Sequence, residues 1–160
     1  MLDTRQEFAL RIRRAFQKVP YPGRKIGDQD EFQRIRGKRW QELSVEDLNY
    51  DHELLFFNSD GLRYYLPAYL LALLEHPDKA SSNISEAVFQ NVGLCSGCAR
   101  NFTDPERVLI AEFFERYLEF FPNKPTHDQS PSWQAWVRKA RTEQQKTLQQ
   151  AILNWKPCEK

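Results

Sequence analysis

Two cysteines, Cys95 and Cys98, lie three positions apart and form the most conspicuous chemical motif of the chain. Thiolates at this spacing can share a zinc ion or cycle between dithiol and disulfide. A structural zinc site requires four ligands, and the chain has no second pair of ligands at comparable spacing. A thioredoxin-like redox site requires a βαβ setting, which the sequence does not predict. We therefore favour structural or incidental thiols, and keep both cysteines as weak candidates for metal binding or redox cycling.

His52 lies between two acidic residues, Asp51 and Glu53. An imidazole beside carboxylates is typical of acid–base chemistry or of part of a metal site. A local acidic run with one histidine is more often a solvated face, which is the interpretation we favour. The chain contains neither a Walker loop nor a GxGxxG motif. We assign no catalytic residue and no cofactor, and we keep His52 only as a ligand or partner candidate.

Arginine and tyrosine side chains surround a proline in the hydrophobic stretch 62–78, where Arg63, Tyr64, Tyr65 and Tyr69 flank Pro67. One hypothesis is a pocket lined by Arg63, Tyr64 and Tyr69. The other is a core helix whose tyrosines bury their rings and bond the carbonyls that the proline frees. It also pairs Arg63 with a carboxylate of residues 42–60. We favour the core helix, because buried structural aromatics are far commoner than ligand cages.

The elements that must position these residues are predicted to be helices. Residues 62–74 are apolar over most of a helical circumference, which indicates a central helix at about 60–75. Pro67 predicts that this helix either bends there or restarts with the proline in its first turn. Capping signals predict further helices, and a short one is expected over 28–37. The cap candidates are Thr4, Ser44, Asn58, Ser59, Asp60 and Thr103. The sequence therefore predicts an all-α fold, a single compact domain of five to seven helices over residues 1–160.

Charge is distributed unevenly along the 160 residues, although the net charge is only +1. Residues 1–40 contain eleven basic and five acidic residues, whereas residues 41–90 contain two basic and nine acidic ones. Such asymmetry is typical either of a nucleic-acid surface or of segments that pack together, basic against acidic. We do not expect nucleic-acid binding, because the domains that do it are usually strongly basic overall.

The longest nearly apolar run, residues 66–74, has nine residues. A membrane span needs about 20 residues, so no membrane insertion is expected. The first residues show neither an apolar signal region nor a small-residue cleavage site. Three cysteines, an odd number, do not form a secreted disulfide framework. Together these features predict a cytoplasmic protein.

Two stretches, Gly37-Lys38-Arg39-Trp40 and Gly61–Ala72, resemble an uncharacterised family of small bacterial proteins, a domain of unknown function. Its members show an early Pro-Gly turn, then Gly-Lys-x-Trp, then a Phe-Arg-Tyr-Tyr-Leu-Pro-Ala-Tyr-like stretch. Here Pro22-Gly23 matches the turn, and Leu62 replaces the phenylalanine. The resemblance covers about residues 15–75 and implies a bacterial cytoplasmic protein. It implies no activity, cofactor or catalytic residue.

Two functions remain open from the sequence. The favoured one is a non-enzymatic protein-interaction, regulatory or immunity-type module that binds an unidentified protein partner. It rests on the small size, the uneven charge and the lack of a catalytic constellation. The alternative is a small-ligand-binding or enzymatic domain with a site around Arg63, Tyr64 and Tyr69, joined by His52 or Glu53.

Overall fold

A computed structural model describes residues 3–28, 30–121 and 131–158 of the chain. Within these ranges the chain forms seven α-helices and no β-strand, which confirms the all-α prediction. The α-helices are α1 Thr4–Phe16, α2 Val45–Tyr50, α3 Ser59–Glu75, α4 Ser82–Glu86, α5 Asp104–Glu115, α6 Tyr117–Phe120 and α7 Pro131–Trp155. Short 3₁₀ turns at Trp40–Glu42, Leu54–Phe56 and Cys98–Asn101, and a π-helix at Ala87–Gly93, lie between them.

Helix α3 is the centre of the core. Every residue from Leu62 to Leu74 except Arg63 is buried, and α1 and the Trp40–Glu42 turn pack against this helix. The helix runs unbroken through Pro67 from Ser59 to Glu75, so a restart at the proline is excluded. Pro67 removes one amide donor there, and a bend at this point stays a prediction. The central position of α3 agrees with its nearly all-round apolar sequence.

Side-chain caps fix the starts of the main helices. Ser44, Asn58 and Thr103 each accept a hydrogen bond from the third amide of the helix that follows, as their positions in the sequence predict. Helix α1 differs, because Asp3 rather than Thr4 is its cap and accepts from the Gln6 amide at 2.9 Å. A carboxylate one residue earlier therefore takes the role expected of the threonine hydroxyl.

Residues 28–37 do not form the short helix that their sequence predicts. Residues 30–37 instead form a series of turns in which Phe32 has a φ angle of +61°, a left-handed conformation that ends a right-handed helix. The Phe32 ring stacks on Phe57 at a centroid distance of 3.9 Å, and Ile26 and Ile35 are buried beside it. Contacts with distant residues therefore override the local helical preference of this segment.

Helix α7 packs on α5 and on the π-helix through its C-terminal part, where Leu148, Ala151 and Trp155 are buried. Gly93 allows the close approach, because a Cβ atom there would lie 3.0 Å from the Ala151 Cβ and 3.2 Å from the Phe114 ring. Earlier in the same helix, the residues from Arg138 to Glu143 are all exposed. Across the described ranges, no helix is both long enough and apolar enough to cross a membrane.

Candidate functional site

Arg63 extends from α3 towards α5. Its Nε donates to Glu106 Oε2 at 3.0 Å and its Nη2 to Glu106 Oε1 at 2.9 Å. Glu106 is 4% exposed and also accepts the Thr103 amide at 2.9 Å. The hydrogen bond with Glu106 raises the pKa of Arg63 above its ordinary value. The predicted contact with a carboxylate of residues 42–60 is therefore wrong, because the buried Glu106 carboxylate requires a cation and takes this one.

The tyrosines of α3 fill the core and bond to the preceding segment. The Tyr65 hydroxyl donates to the Lys38 carbonyl at 2.7 Å, and the Tyr69 hydroxyl donates to the Asp51 carbonyl. These bonds correct the expectation that the hydroxyls meet carbonyls freed by Pro67, since helical side chains project away from their own backbone. Burial raises the pKa of Tyr64 and of Tyr69 above the ordinary value. The phenols are therefore neutral groups with structural partners.

Asp51 and His52 lie in different environments. Asp51 is 6% exposed, and its Oδ2 accepts the amides of Arg34 at 2.7 Å and Ile35 at 2.9 Å. The expectation of a solvated face is therefore wrong for this carboxylate. His52 is partly exposed, with Nδ1 3.0 Å from the Asn49 carbonyl and Nε2 3.4 Å from the Glu53 carboxylate. It borders a small cavity of about 210 Å³ that Arg63, Tyr64 and Tyr69 do not line.

A groove of about 290 Å³ opens between the end of α1, the Trp40–Glu42 turn, α2 and the C-terminal half of α3. We call it the α2–α3 groove. Its floor is apolar and consists of Trp40, Leu48, Ala68, Leu71 and Ala72. The two alanines lie one helical turn apart on a helix otherwise rich in leucine and tyrosine. Their small side chains therefore create the space that forms the groove. The floor is therefore suited to an apolar side chain.

Charged residues of both signs border the α2–α3 groove. Arg13 Nη2 and Glu75 Oε2 form an ion pair at 2.6 Å, and Glu46 and Lys79 also line the groove, together with His76. The Trp40 indole Nε1 is buried and has no hydrogen-bond partner within the described part of the chain. An unpaired buried donor is costly in free energy. The groove thus combines an apolar floor with a mixed-charge rim, and one residue of its floor carries an unsatisfied buried donor.

Cys95 and Cys98 are joined in a disulfide, whereas Cys158 is a free exposed thiol. The disulfide is one of the two oxidation states that the redox hypothesis requires. For the zinc hypothesis, the described ranges contain no group of three or more histidine, cysteine, aspartate or glutamate side chains placed to hold a metal ion.

The sequence did not single out the groove, because its lining comes from three separate parts of the chain, namely Arg13, residues 40–48 and residues 68–79. Two signals pointed towards it. The alanines at 68 and 72 recur at helical spacing, and Trp40 ends the Gly37–Trp40 stretch of the family resemblance. The Tyr65–Lys38 hydrogen bond shows that the two stretches carrying that resemblance pack directly together.

Comparison with models of protein families shows a match over most of the chain. A family model described as a family of unknown function (DUF6714) matches residues 4–139. This range contains both stretches of the resemblance and reaches from α1 into the first third of α7. No curated protein and no solved structure matches the chain.

Proposed function

The chain belongs to DUF6714, a family of unknown function, and we propose from its own surfaces that it is a non-enzymatic interaction module. It binds a segment of another protein in the α2–α3 groove, as a regulatory or immunity-type protein of the bacterial cytoplasm. The observation that carries this proposal is the groove itself, with its apolar floor and charged rim. The compartment rests on the family resemblance and the cysteine usage.

The size of the groove favours a protein segment over a small-molecule substrate. Pockets for drug-sized ligands usually enclose about 300–1,000 Å³ and bury most of the ligand. The α2–α3 groove, at about 290 Å³, lies at the lower limit of that range and is open to solvent. It accommodates one or two side chains of a partner. An apolar anchor surrounded by polar residues is the usual arrangement at the centre of a protein interface.

The rim sets the chemistry of the partner segment. Arg13 and Lys79 supply positive charge, and Glu46 and Glu75 supply negative charge, so neither sign dominates. A partner segment with an aliphatic anchor flanked by residues of both charges fits this rim. A strongly acidic or strongly basic segment meets like charges on one side, which disfavours it.

Val45 offers a direct test of the groove, because it lines the groove and is only partly buried. Val45→Glu places a carboxylate beside the apolar floor. Val108→Glu is the matched control, since Val108 lies on α5 outside the groove and is 51% exposed. We expect tagged wild-type protein and Val108→Glu to capture the same stoichiometric partner from the native host. Quantitative mass spectrometry should show at least about tenfold less of that partner with Val45→Glu, a loss of about 1.4 kcal/mol in binding.

The same variants distinguish the proposal from its competitors. Both variants should melt close to the wild-type temperature, which shows that the fold is intact. Undiminished capture by Val45→Glu, or an equal loss with Val108→Glu, contradicts binding in the groove. A metabolite that raises the melting temperature of the wild type but not of Val45→Glu replaces the protein segment by a small ligand, since binding to the native state alone raises apparent stability.

A further inference from the structure

The Cys95–Cys98 disulfide lies on an open loop between the π-helix and the Cys98–Asn101 turn. The two residues between the cysteines, Ser96 and Gly97, are exposed, and the cysteines themselves are partly exposed. A Cβ atom added at Gly97 would meet no atom within 4 Å. The Gly97 side of the loop is therefore open to an external thiol, whereas Cys98 is partly buried against the core.

Packing on both sides of the loop holds the chain without help from the disulfide. Val92 is buried, and its carbonyl accepts the Trp155 indole N–H at 3.1 Å. Phe102 packs edge-on against Trp155 with ring centroids 4.8 Å apart. The Cys98 amide also donates to the Cys95 carbonyl at 3.3 Å, which keeps the turn closed. Because disulfide stabilisation grows with the length of the closed loop, this short loop adds less than a longer one would, and we expect the fold to survive reduction.

A metal site does not compete for these sulfurs in the described ranges. Structural zinc is bound by four ligands in tetrahedral geometry. The cysteine pair supplies two, and no third histidine, cysteine, aspartate or glutamate of residues 3–28, 30–121 and 131–158 is grouped with them. Thiol–disulfide exchange needs only the two sulfurs and access to them.

We propose that Cys95 and Cys98 form a reversible dithiol–disulfide centre that exchanges with an external dithiol. A thiolate of the external dithiol attacks one sulfur of the disulfide, which forms a mixed disulfide and releases the other cysteine as a thiolate. The second external thiol then attacks the mixed disulfide and releases the first cysteine. Two electrons and two protons pass from the external dithiol to Cys95 and Cys98, and the external pair becomes the disulfide.

This centre is independent of the α2–α3 groove, because none of its residues lines that groove. Cytoplasmic disulfides are usually transient and either catalytic or redox-sensing. The link to that compartment rests on the proposed function, whereas the exchange chemistry does not.

Counting free thiols in the full-length native chain tests the proposal, with dithiothreitol as the dithiol probe. The oxidised protein should show one thiol reactive towards Ellman's reagent, which is Cys158. Reduction and removal of the probe should raise the count to three, the number of cysteines in the chain. Oxidised dithiothreitol should return it to one. The helical circular dichroism should stay unchanged throughout, and the native chain should be reduced within about tenfold of the rate of the urea-unfolded chain, because access is open.

Cysteine variants give matched controls for this count. Cys158→Ser should cycle between no thiols and two, whereas Cys95→Ser/Cys98→Ser should keep one thiol under all conditions. Reduction that requires urea, or that abolishes the helical signal, identifies a permanent structural cross-link and overturns the proposal. Failure of the pair to re-form with oxidised dithiothreitol overturns it too. A reduced chain that retains stoichiometric zinc after dialysis, and then resists oxidation, overturns it in favour of a metal site.

Discussion

Arg63 donates two parallel hydrogen bonds to the carboxylate of Glu106, which is almost fully buried. The sequence placed Arg63 in a core helix and predicted a cap at Thr103, three residues before Glu106, but it did not predict the contact between Arg63 and Glu106. The acidic segment 42–60 is nearer in the chain, whereas Glu106 is 43 residues away. A pairing at that separation is decided by how α3 and α5 pack, which local patterns do not encode.

Arg63→Ala should destabilise the fold by about 3 kcal/mol, because it leaves a buried carboxylate without its cation. Urea unfolding followed by circular dichroism measures this change. Glu106→Gln in the same background removes the stranded charge, so the double variant should be more stable than Arg63→Ala alone. A loss within about 0.5 kcal/mol, typical of an ordinary surface change, would show that the pair contributes nothing.

At the scale of the elements, helix starts were predictable and the segment between α1 and α2 was not. Ser44, Asn58 and Thr103 act through hydrogen bonds to amides three residues away, so the signal lies wholly in the local sequence. The backbone conformation of Phe32, in contrast, does not depend on such a local signal. Its conformation is set by stacking on Phe57, 25 positions later, and no periodicity within 28–37 reports that contact.

Leu70→Ala tests the central position of α3. Leu70 is 1% exposed, so truncation should cost about 2–5 kcal/mol through lost burial and the cavity that remains. Leu153→Ala on α7 is the matched control, because Leu153 is 69% exposed and should change stability by less than about 0.5 kcal/mol. Chemical denaturation compares the two. Equal, small effects would remove α3 from the core.

Across the whole molecule, the basic first segment and the acidic second one pack together. Arg13 pairs with Glu75 and Lys38 with Asp47, while Asp51 accepts two amides from residues 34 and 35. Part of the uneven charge is thus accounted for by contacts between these two segments. Packing of a basic segment against an acidic one is one of the two interpretations that the charge distribution allowed. The α2–α3 groove forms where these segments meet. Its existence depends on their relative placement, which composition alone does not determine.

Alkaline pH should destabilise the fold through the buried tyrosines. Burial raises the pKa of Tyr65 and Tyr69 well above the ordinary value. The unfolded chain releases these protons near pH 10, before the folded chain does, so stability is full below about pH 10 and is lost as the pH rises further. Each such tyrosine contributes a slope of about 1.4 kcal/mol per pH unit in that window.

Urea unfolding between pH 8 and 11 measures the slope, and absorbance at 295 nm follows phenol ionisation. Tyr69→Phe should lose one tyrosine's share of the slope, whereas Tyr50→Phe, at an exposed position, is the matched control. Stability that stays level up to pH 11, or ionisation of all six tyrosines in the folded chain at pH 10, would contradict the prediction.

The six exposed residues in succession on α7, from Arg138 to Glu143, span more than one and a half helical turns. None of these six side chains is buried against another described part of the chain. Local contacts such as the hydrogen bond from Thr142 Oγ1 to the Arg138 carbonyl support these turns, and local contacts alone are marginal for a short helix. The last two turns are packed against the core through the buried side chains of Leu148, Ala151 and Trp155. One continuous helix therefore spans a gradient of local stability. We therefore expect its exposed turns to open locally far more often than its buried end, which should open only when the whole molecule unfolds.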